Sequence, residues 1–553
     1  MASSKTISSS STAEYFSKNL QQVGFSSQTK AVLTTLKESV DNALDACEEH
    51  GMLPTLSIEI ERLGTGSIKN SERIRVMVED NGPGIDSEDL PKVFGEYLAS
   101  SKFGRGRCTR GQQGIGISAA TTWAQLTCAQ GAKVLSKTKA MRKAVSALIE
   151  VDIKNNKGVV KNRETLDWDR PSGTRVEFVF DGRVQINGEA GLLNYILGTS
   201  LVNPHLELKY KFPEQEWQKI ERVTQEVPPI PEAVEPHPHT MKLGEFIAHS
   251  HLFGRQKVSA WLKKGFSRIS DSVIDELVKN KENQLSKAMM EKNVDQLADA
   301  EFTKLFAAIQ KAELKAPSTS SVLSIGEDAM SKSIQRLGKV DFFSVVTRKP
   351  TICDFKPVQV EVAIARLEER GSENDSPVQV LRFANRVPLQ FDKSACAIVQ
   401  AITTVNWRSY GLGQPKESLP QGPYIFAVSV VSPFIKFKNA SKETVDASDE
   451  LVEEIRRALM QAGQKLSRYI NAEHKAEDLE EKIRYIEQFG PILVEGLARI
   501  TNAKEDSKKR AREGLMKILG RDTKDAKEDL SEANKKLEKQ KQKEADLDSA
   551  SED

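Results

Sequence analysis

No run of about 18 or more consecutive apolar residues occurs in this chain, so no segment has the length and apolarity of a membrane-spanning helix. The opening stretch MASSKTISSSSTAEYF also lacks the apolar stretch of a secretory signal, which points to a soluble intracellular protein without a membrane partner. Cysteine is scarce: the five residues Cys47, Cys108, Cys128, Cys353 and Cys396 are scattered, odd in number and never spaced as C-x-x-C. That excludes a disulfide framework and a zinc finger as organising devices and fits a reducing compartment. Charge of one sign is missing too, since 80 basic residues face 78 acidic ones, so affinity for nucleic acid has to come from local patches. What is present is ordinary globular composition, 39% apolar and 29% charged, and 553 residues are too many for one core, so three or four domains are expected.

The chain divides by pattern. Residues 1–25 begin serine-rich and read as an N-terminal strap. From about Gln28, with Ser26 or Ser27 as N-cap, helical spacing places Val32, Leu33, Leu36, Val40, Ala43 and Leu44 on one side and Glu38, Asn42 and Asp45 on the other. The segments LSIEIER and RIRVMVED alternate at the strand period, and a helix is expected from about Gly114 through Trp123. Residues 26–226 therefore form one α+β domain. The proline-dense stretch VPPIPEAVEPHPH marks a linker at 227–240. Its His237 and His239 have no Cys or acidic ligand cluster beside them and read as polar linker residues, not as a metal pair. Residues 241–315 are helical in pattern, and strand patterns return over 316–475, ending in a long helix from Ser448. The charged stretch 476–553 continues as helix or disordered tail, and its KKRAREGLMKIL reads as a surface helix or a partner-docking one.

Four segments carry candidate chemistry. In ESVDNALDAC, Glu38, Asn42 and Asp45 recur at i, i+4 and i+7, which makes either a solvated stripe or the floor of a site. In EDNGPGI, Asp80 ends a strand at a turn whose glycines let a flat ring approach the backbone, and an adenine amino group is a natural donor to its carboxylate; an ordinary tight turn is the alternative. RGQQGIGIS sets three glycines in G-x-x-G-x-G order before a helix, where backbone N–H groups can hold phosphate oxygens. It is neither a Walker A loop nor the G-x-G-x-x-G fingerprint, and Lys102, Arg105, Arg107 and Arg110 add positive charge upstream. SGTRVEF turns at Gly173-Thr174 into a strand.

In this order the four motifs resemble the Bergerat ATP-binding fold of the GHKL superfamily, which includes gyrase B, heat-shock chaperone ATPases, MutL and histidine kinases. Farther on, PSTSSVLSIGEDAM, RFANRVPL, NWRSYGL and KNASKETV resemble the B subunits of DNA topoisomerase VI, the type IIB enzymes, and the likeness runs from about Ser11 to about Ile470. The resemblance implies an α+β chain made of a Bergerat ATPase domain, a helix–two-turns–helix insert and a transducer domain like a ribosomal-protein fold, with a long C-terminal helix. It implies ATP and Mg²⁺, with Glu38 as general base and Asn42 helping to hold the metal. Asp80, Gly84 and Thr174 would meet the adenine. Ser101, Lys102 and Gly111, Gln112, Gln113, Gly114, Ile115, Gly116, Ile117 and Ser118 would line the nucleotide and close over its phosphates, and Lys442 would reach the γ-phosphate. The implied partners are double-stranded DNA, a second copy of the chain and the DNA-cleaving A subunit of topoisomerase VI, together an A2B2 heterotetramer, in the cytoplasm and associated with DNA. A chaperone-like ATP clamp on protein clients is the alternative, because the same nucleotide site serves both.

Overall fold

The computed structural model describes residues 10–517 except 101–105, 112, 368–375, 440, 503, 508, 512, 515 and 516. Ser101, Lys102 and Gln112, part of KKRAREGLMKIL, and the tail after 517 thus lie outside the described residues.

The N-terminal half opens with α1 (Thr12–Lys18) and α2 (Gln28–Glu49). Ser27 caps α2 by accepting from the Lys30 N–H at 3.2 Å, and Val32, Leu33, Leu36, Val40, Ala43 and Leu44 are buried. Each fully buried leucine on that stripe contributes roughly 1.5–3 kcal/mol. Strands β1 (Thr55–Thr65) and β2 (Glu72–Asp80) follow, then α3 (Leu90–Gly95), α4 (Gly116–Cys128), β3 (Ala132–Lys137), β4 (Ala144–Asp152), β5 (Lys157–Leu166), β6 (Gly173–Gly182), α5 (Leu192–Val202), β7 (Glu207–Lys211) and β8 (Gln218–Ile220). The eight strands make one sheet in the order β5-β4-β3-β6-β2-β1-β7-β8, antiparallel except where β1 runs parallel to β7. The expected helix from Gly114 to Trp123 begins two residues later and runs to Cys128. Helices α2, α3 and α4 cover one face of the sheet, and the N-terminal strap joins the same body through the stacked rings of Phe16 and Tyr97, 5.2 Å apart.

The proline-dense stretch is irregular up to His237, since proline cannot donate to a helix or central strand, and ends in one 3-10 turn at Pro238–Thr240. Beyond it α6 (Leu243–Ser250), α7 (Val258–Gly265), α8 (Asp271–Lys279), α9 (Lys287–Glu291) and α10 (Asp299–Lys311) enclose their own core around Phe246, Trp261, Phe266 and Phe302. His237 and His239 are not mere linker filler. The His237 ring stacks on Phe355 at 5.0 Å and His239 meets the same ring edge-on, so the pair pins the linker to the C-terminal half. Burial pulls the His237 imidazole down to about 4, which keeps it neutral for this packing.

The C-terminal half comprises α11 (Glu327–Ile334), β9 (Val340–Thr347), β10 (Thr351–Cys353), β11 (Lys356–Leu367), β12 (Gln379–Ala384), β13 (Val387–Leu389), α12 (Ala397–Thr404), β14 (Tyr424–Val431) and α13 (Asp449–Ile500). Its sheet runs β10-β11-β14-β12-β13, with β9 also paired to β11. Helices α12 and α13 pack on one face around Ile398, Trp407, Leu459 and Leu466. The other face shares a core with the N-terminal half, where Leu201 and Val202 of α5 meet Met330, Phe343, Ala363, Leu381 and Phe383. The carbonyl of Ser200 near the end of α5 accepts from the Ser333 hydroxyl at 3.1 Å and from the Arg336 guanidinium, so the same contact satisfies orphan helix-end acceptors. This shared core fixes how the two sheets face each other.

Candidate functional site

A cavity of about 300 Å³ opens between α2, the β2 end and the loop leading into α4. Glu38, Asn42, Asp80, Gly84, Gly111, Gln113, Gly114, Ile115, Gly116, Ile117, Thr174 and Lys442 all line it, although Lys442 lies 404 positions after Glu38 in the chain. The volume suits a small organic ligand, and Ala43, Ile85, Val93, Phe94 and Val176 supply an apolar wall for a flat ring.

One end is built by strand neighbours. Asp80 closes β2 directly opposite Thr174 of β6, and its Oδ1 accepts from the N–H groups of Gly82 at 2.8 Å and Thr174 at 3.2 Å. Burial nevertheless pushes the carboxyl up to about 7, against the pull of those two N–H donors. Gly84 is required by the turn: its φ is +78°, and a Cβ there would sit 2.1 Å from the Lys137 carbonyl oxygen. The result is a buried carboxylate beside an apolar slot, suited to accept from the amino group of a planar ring.

At the other end the glycine loop enters α4. The N-cap residue of this 13-residue helix, Ile115, makes no side-chain cap hydrogen bond, and the Glu38 carboxylate lies against the first turn: a Cβ on Gly116 would be 2.0 Å from Oε2. Uncapped N–H groups and the positive helix end make this region attractive to anionic oxygen. Lys442 adds a cation from the loop after β14. Its Nζ donates to the Arg110 carbonyl at 2.8 Å, and its backbone is left-handed, with φ +54°. Ser118 does not join the lining; its hydroxyl is buried and donates to the Glu96 carbonyl at 2.9 Å.

Asp45, the third member of the acidic stripe, faces away from this cavity into a buried ionic cluster. Its Oδ1 accepts from Arg110 Nη1 at 2.8 Å, and its Oδ2 accepts from the Gly111 N–H at 3.2 Å. Glu48, one turn on, accepts from Arg110 at 2.6 and 3.0 Å, from His205 Nε2 at 2.8 Å and from the Arg386 guanidinium. Burial alone would raise the Glu48 carboxyl, yet Arg110 and Arg386 hold it well below the ordinary carboxylate value. His205 is depressed by burial and stays neutral, donating from Nε2. Removing a buried charge that leaves its partner alone costs about 3–5 kcal/mol, which ranks this cluster among the firmest fixtures of the site. Asp45 belongs to the stripe itself, and Glu48 could have been suspected from its i+3 spacing to it; Arg386 lies within RFANRVPL, but nothing local to it points to this cluster.

Toward the C-terminal half, α2 also buries Asp41 and half-buries Lys37. Burial pushes Asp41 up to about 7 and pulls Lys37 down. Among the described residues no group of three or more His, Cys, Asp or Glu could hold a metal ion unaided. An amide and a carboxylate one turn apart on α2, Asn42 and Glu38, still offer hard oxygen donors beside the anion-seeking helix end, which fits a Mg²⁺ carried in on phosphates and not an all-protein cage.

Comparison with known proteins reaches both halves. Residues 28–183 match the family described as "Histidine kinase-, DNA gyrase B-, and HSP90-like ATPase". Residues 317–482 match "Topoisomerase VI B subunit, transducer". The chain is 35% identical over 460 residues to the B subunit of type 2 DNA topoisomerase 6 from Archaeoglobus fulgidus, covering 83% of this chain and 74% of that one. It is 35% identical over 490 residues to the Methanococcoides burtonii protein of the same name, covering 88% and 76%. With the Pyrococcus abyssi protein of that name it shares 30% over 555 residues, covering 92% and 94%.

Proposed function

Because the chain belongs to the family of type 2 DNA topoisomerase 6 B subunits, whose members are ATP-dependent topoisomerase components with a GHKL ATPase region, we propose that the cavity on α2 is where ATP is bound and hydrolysed. The observation that carries the reading is the convergence of Glu38, Asn42, Asp80, the glycine loop and the distant Lys442 on one cavity. The relatives do not favour a clamp on protein clients.

In this reading Asp80 accepts from the adenine amino group, with Gly84 giving the ring access and Thr174 supporting the carboxylate. The segment 111–118 lines the phosphates and the N–H groups at the α4 N-terminus hold them, with Ser101 and Lys102 assigned to the same lid by the family likeness. Glu38 orients the attacking water and takes its proton, a task for a carboxylate, while the neutral Asn42 amide binds the cation without competing for that proton. Mg²⁺, when bound, neutralises phosphate charge. Lys442 comes from the other half of the molecule and pairs with the γ-phosphate, so hydrolysis changes how strongly the two halves are held together.

The domain assignment that goes with this is an ATPase domain at 26–226, a helix–two-turns–helix insert at 241–315 and a transducer at 316–475. ATP binding would join two copies around a DNA segment, and the A subunit in an A2B2 assembly would cleave the DNA. Helix α13 supports a partner surface: Tyr485, Phe489, Ile492, Leu493, Leu497 and Ile500 are exposed along its distal half, where apolar side chains await a cover. The deciding experiment mixes the full chain with its A-type partner, supercoiled DNA, Mg²⁺ and ATP. ATP-dependent relaxation is expected; hydrolysis without strand passage overturns the role as a topoisomerase gate, and no hydrolysis overturns the ATP site itself.

A further inference from the structure

The C-terminal half reaches the first residue of the phosphate loop directly at its carbonyl and, through Glu48, at its guanidinium. Lys442 Nζ donates to the Arg110 carbonyl at 2.8 Å, and Arg386 shares the Glu48 carboxylate with the Arg110 guanidinium. Arg386 sits at the tip of the β12–β13 hairpin, where Asn385 and Arg386 both have positive φ, +48° and +62°. Such a turn favours Asn and Gly, so an arginine with this backbone is an unusual choice that needs support around it. Neighbouring groups supply that support. Asn385 Nδ2 donates to the Ser432 carbonyl and Asn385 Oδ1 accepts from the Ser432 N–H, both at 2.9 Å. Arg382, buried on β12, donates to the carbonyls of Phe391 and Asp392 and, at 3.4 Å, to that of Glu443 beside Lys442. Hairpin tip and lysine loop are thereby tied into one body.

We propose that Arg386 is a positioning residue for ATP hydrolysis. Through Glu48 and Arg110 it sets where the second half of the molecule holds the phosphate end of the cavity, so that Lys442, on the Arg110 carbonyl, and the Gly111 peptide, held by Asp45, come into register together. Neither Arg386 nor Glu48 lines the cavity. Their effect is mediated: Glu48 orients the guanidinium of Arg110, while the Arg110 carbonyl holds the Lys442 ammonium and the Gly111 N–H is taken by Asp45. The inference rests on the proposed ATPase reading, and it adds a link that remains whether or not Lys442 is engaged.

Arg386→Gln is the mild lesion, because Glu48 keeps Arg110 and His205 as partners. With the full chain, its A-type partner and DNA, steady-state hydrolysis should lose tenfold or more in kcat, while ADP affinity, set at the adenine end, moves less than threefold. Arg386→Lys restores the charge without the planar fork and should recover part of kcat. Adding Arg386→Gln to Glu48→Gln should cost little beyond Glu48→Gln alone, since both act through one carboxylate. A kcat within twofold of wild type for both Arg386 variants overturns the proposal, as does a parallel fall in ADP affinity or full additivity of the double variant. If Arg386→Gln does not fold, Arg386→Lys decides by the same kcat and ADP readouts. A wild-type chain that hydrolyses no ATP defeats the ATPase reading instead, and a wild-type chain that does so with unaffected Arg386 variants defeats only this one.

Discussion

The two ends of the cavity are made differently. The adenine end, as proposed, is local: Asp80, Gly82 and Gly84 lie within five consecutive residues, and Thr174 is Asp80's partner across one pair of strands. The phosphate end is assembled at a distance, from Glu38 on α2, the loop before α4, Lys442 after β14 and, behind it, Arg386. A ring pocket of sheet neighbours is as rigid as the sheet. A phosphate pocket whose cation arrives from a second sheet is only as well formed as the packing between the halves, which makes that end the natural place for hydrolysis to be coupled to motion.

That contrast can be broken most severely at Glu38. Glu38→Ala should lower hydrolysis by roughly 10²- to 10⁴-fold while nucleotide binding persists. Single-turnover rates and equilibrium binding separate the two, and an equal loss of both would remove Glu38 from the general-base role. Lys442→Ala should cost roughly 10²-fold in hydrolysis, the scale of a lost charge-stabilising donor, and leave ADP affinity within about twofold. A matching loss for ADP would show that the lysine serves the cavity as a whole and not its γ-phosphate.

Lesions at the adenine end should behave in the opposite way. Asp80→Asn should weaken ATP and ADP alike by about 1.5–3 kcal/mol, measurable by calorimetry, with little change in the turnover of bound ATP. Unchanged affinity would take Asp80 out of the ring pocket. The smallest effect is the most specific. Burial sets the free Asp80 carboxyl at about 7, and an N–H donor on the ligand favours its ionised form, so binding below that pH must release a proton. Affinity should therefore be full above pH 7 and fall as pH drops, by about fivefold between pH 7 and pH 6. Asp41 titrates in the same range, and Asp80→Asn tells them apart because it should abolish the dependence only if Asp80 is its source.

The adenine end was nearly complete in the sequence, since strand alternation, the terminal acid and the glycines of the turn are adjacent in the chain and their physics is local. Helix periodicity likewise placed Glu38 and Asn42 on one face of α2, though it could not tell a solvated stripe from a pocket wall. Asp45 shows the limit. Spacing put it with Glu38 and Asn42, yet at about 100° per residue Asn42 lies about 40° to one side of Glu38 and Asp45 about 20° to the other, so Asp45 stands about 60° from Asn42 and meets Arg110 instead of the cavity. For His237 and His239 composition suggested polar filler, and only the approach of Phe355 from another sheet turned them into packing residues.

By itself the sequence determined the elements: which residues make the stripe of α2, where β2 ends in an acid, where glycines open a helix to anions, and, through motif order, which family these belong to. Those are properties of neighbours along the chain. Tertiary structure decided which of them meet. Lys442 and Arg386 become part of the phosphate end because α5, α11 and the second sheet share one apolar core, and burial of that core sets the distance at which two remote loops reach Arg110 and its partner Glu48. The charge state of Asp80 and Glu48 was decided there as well, because desolvation and the partners that oppose it exist only once the chain is packed.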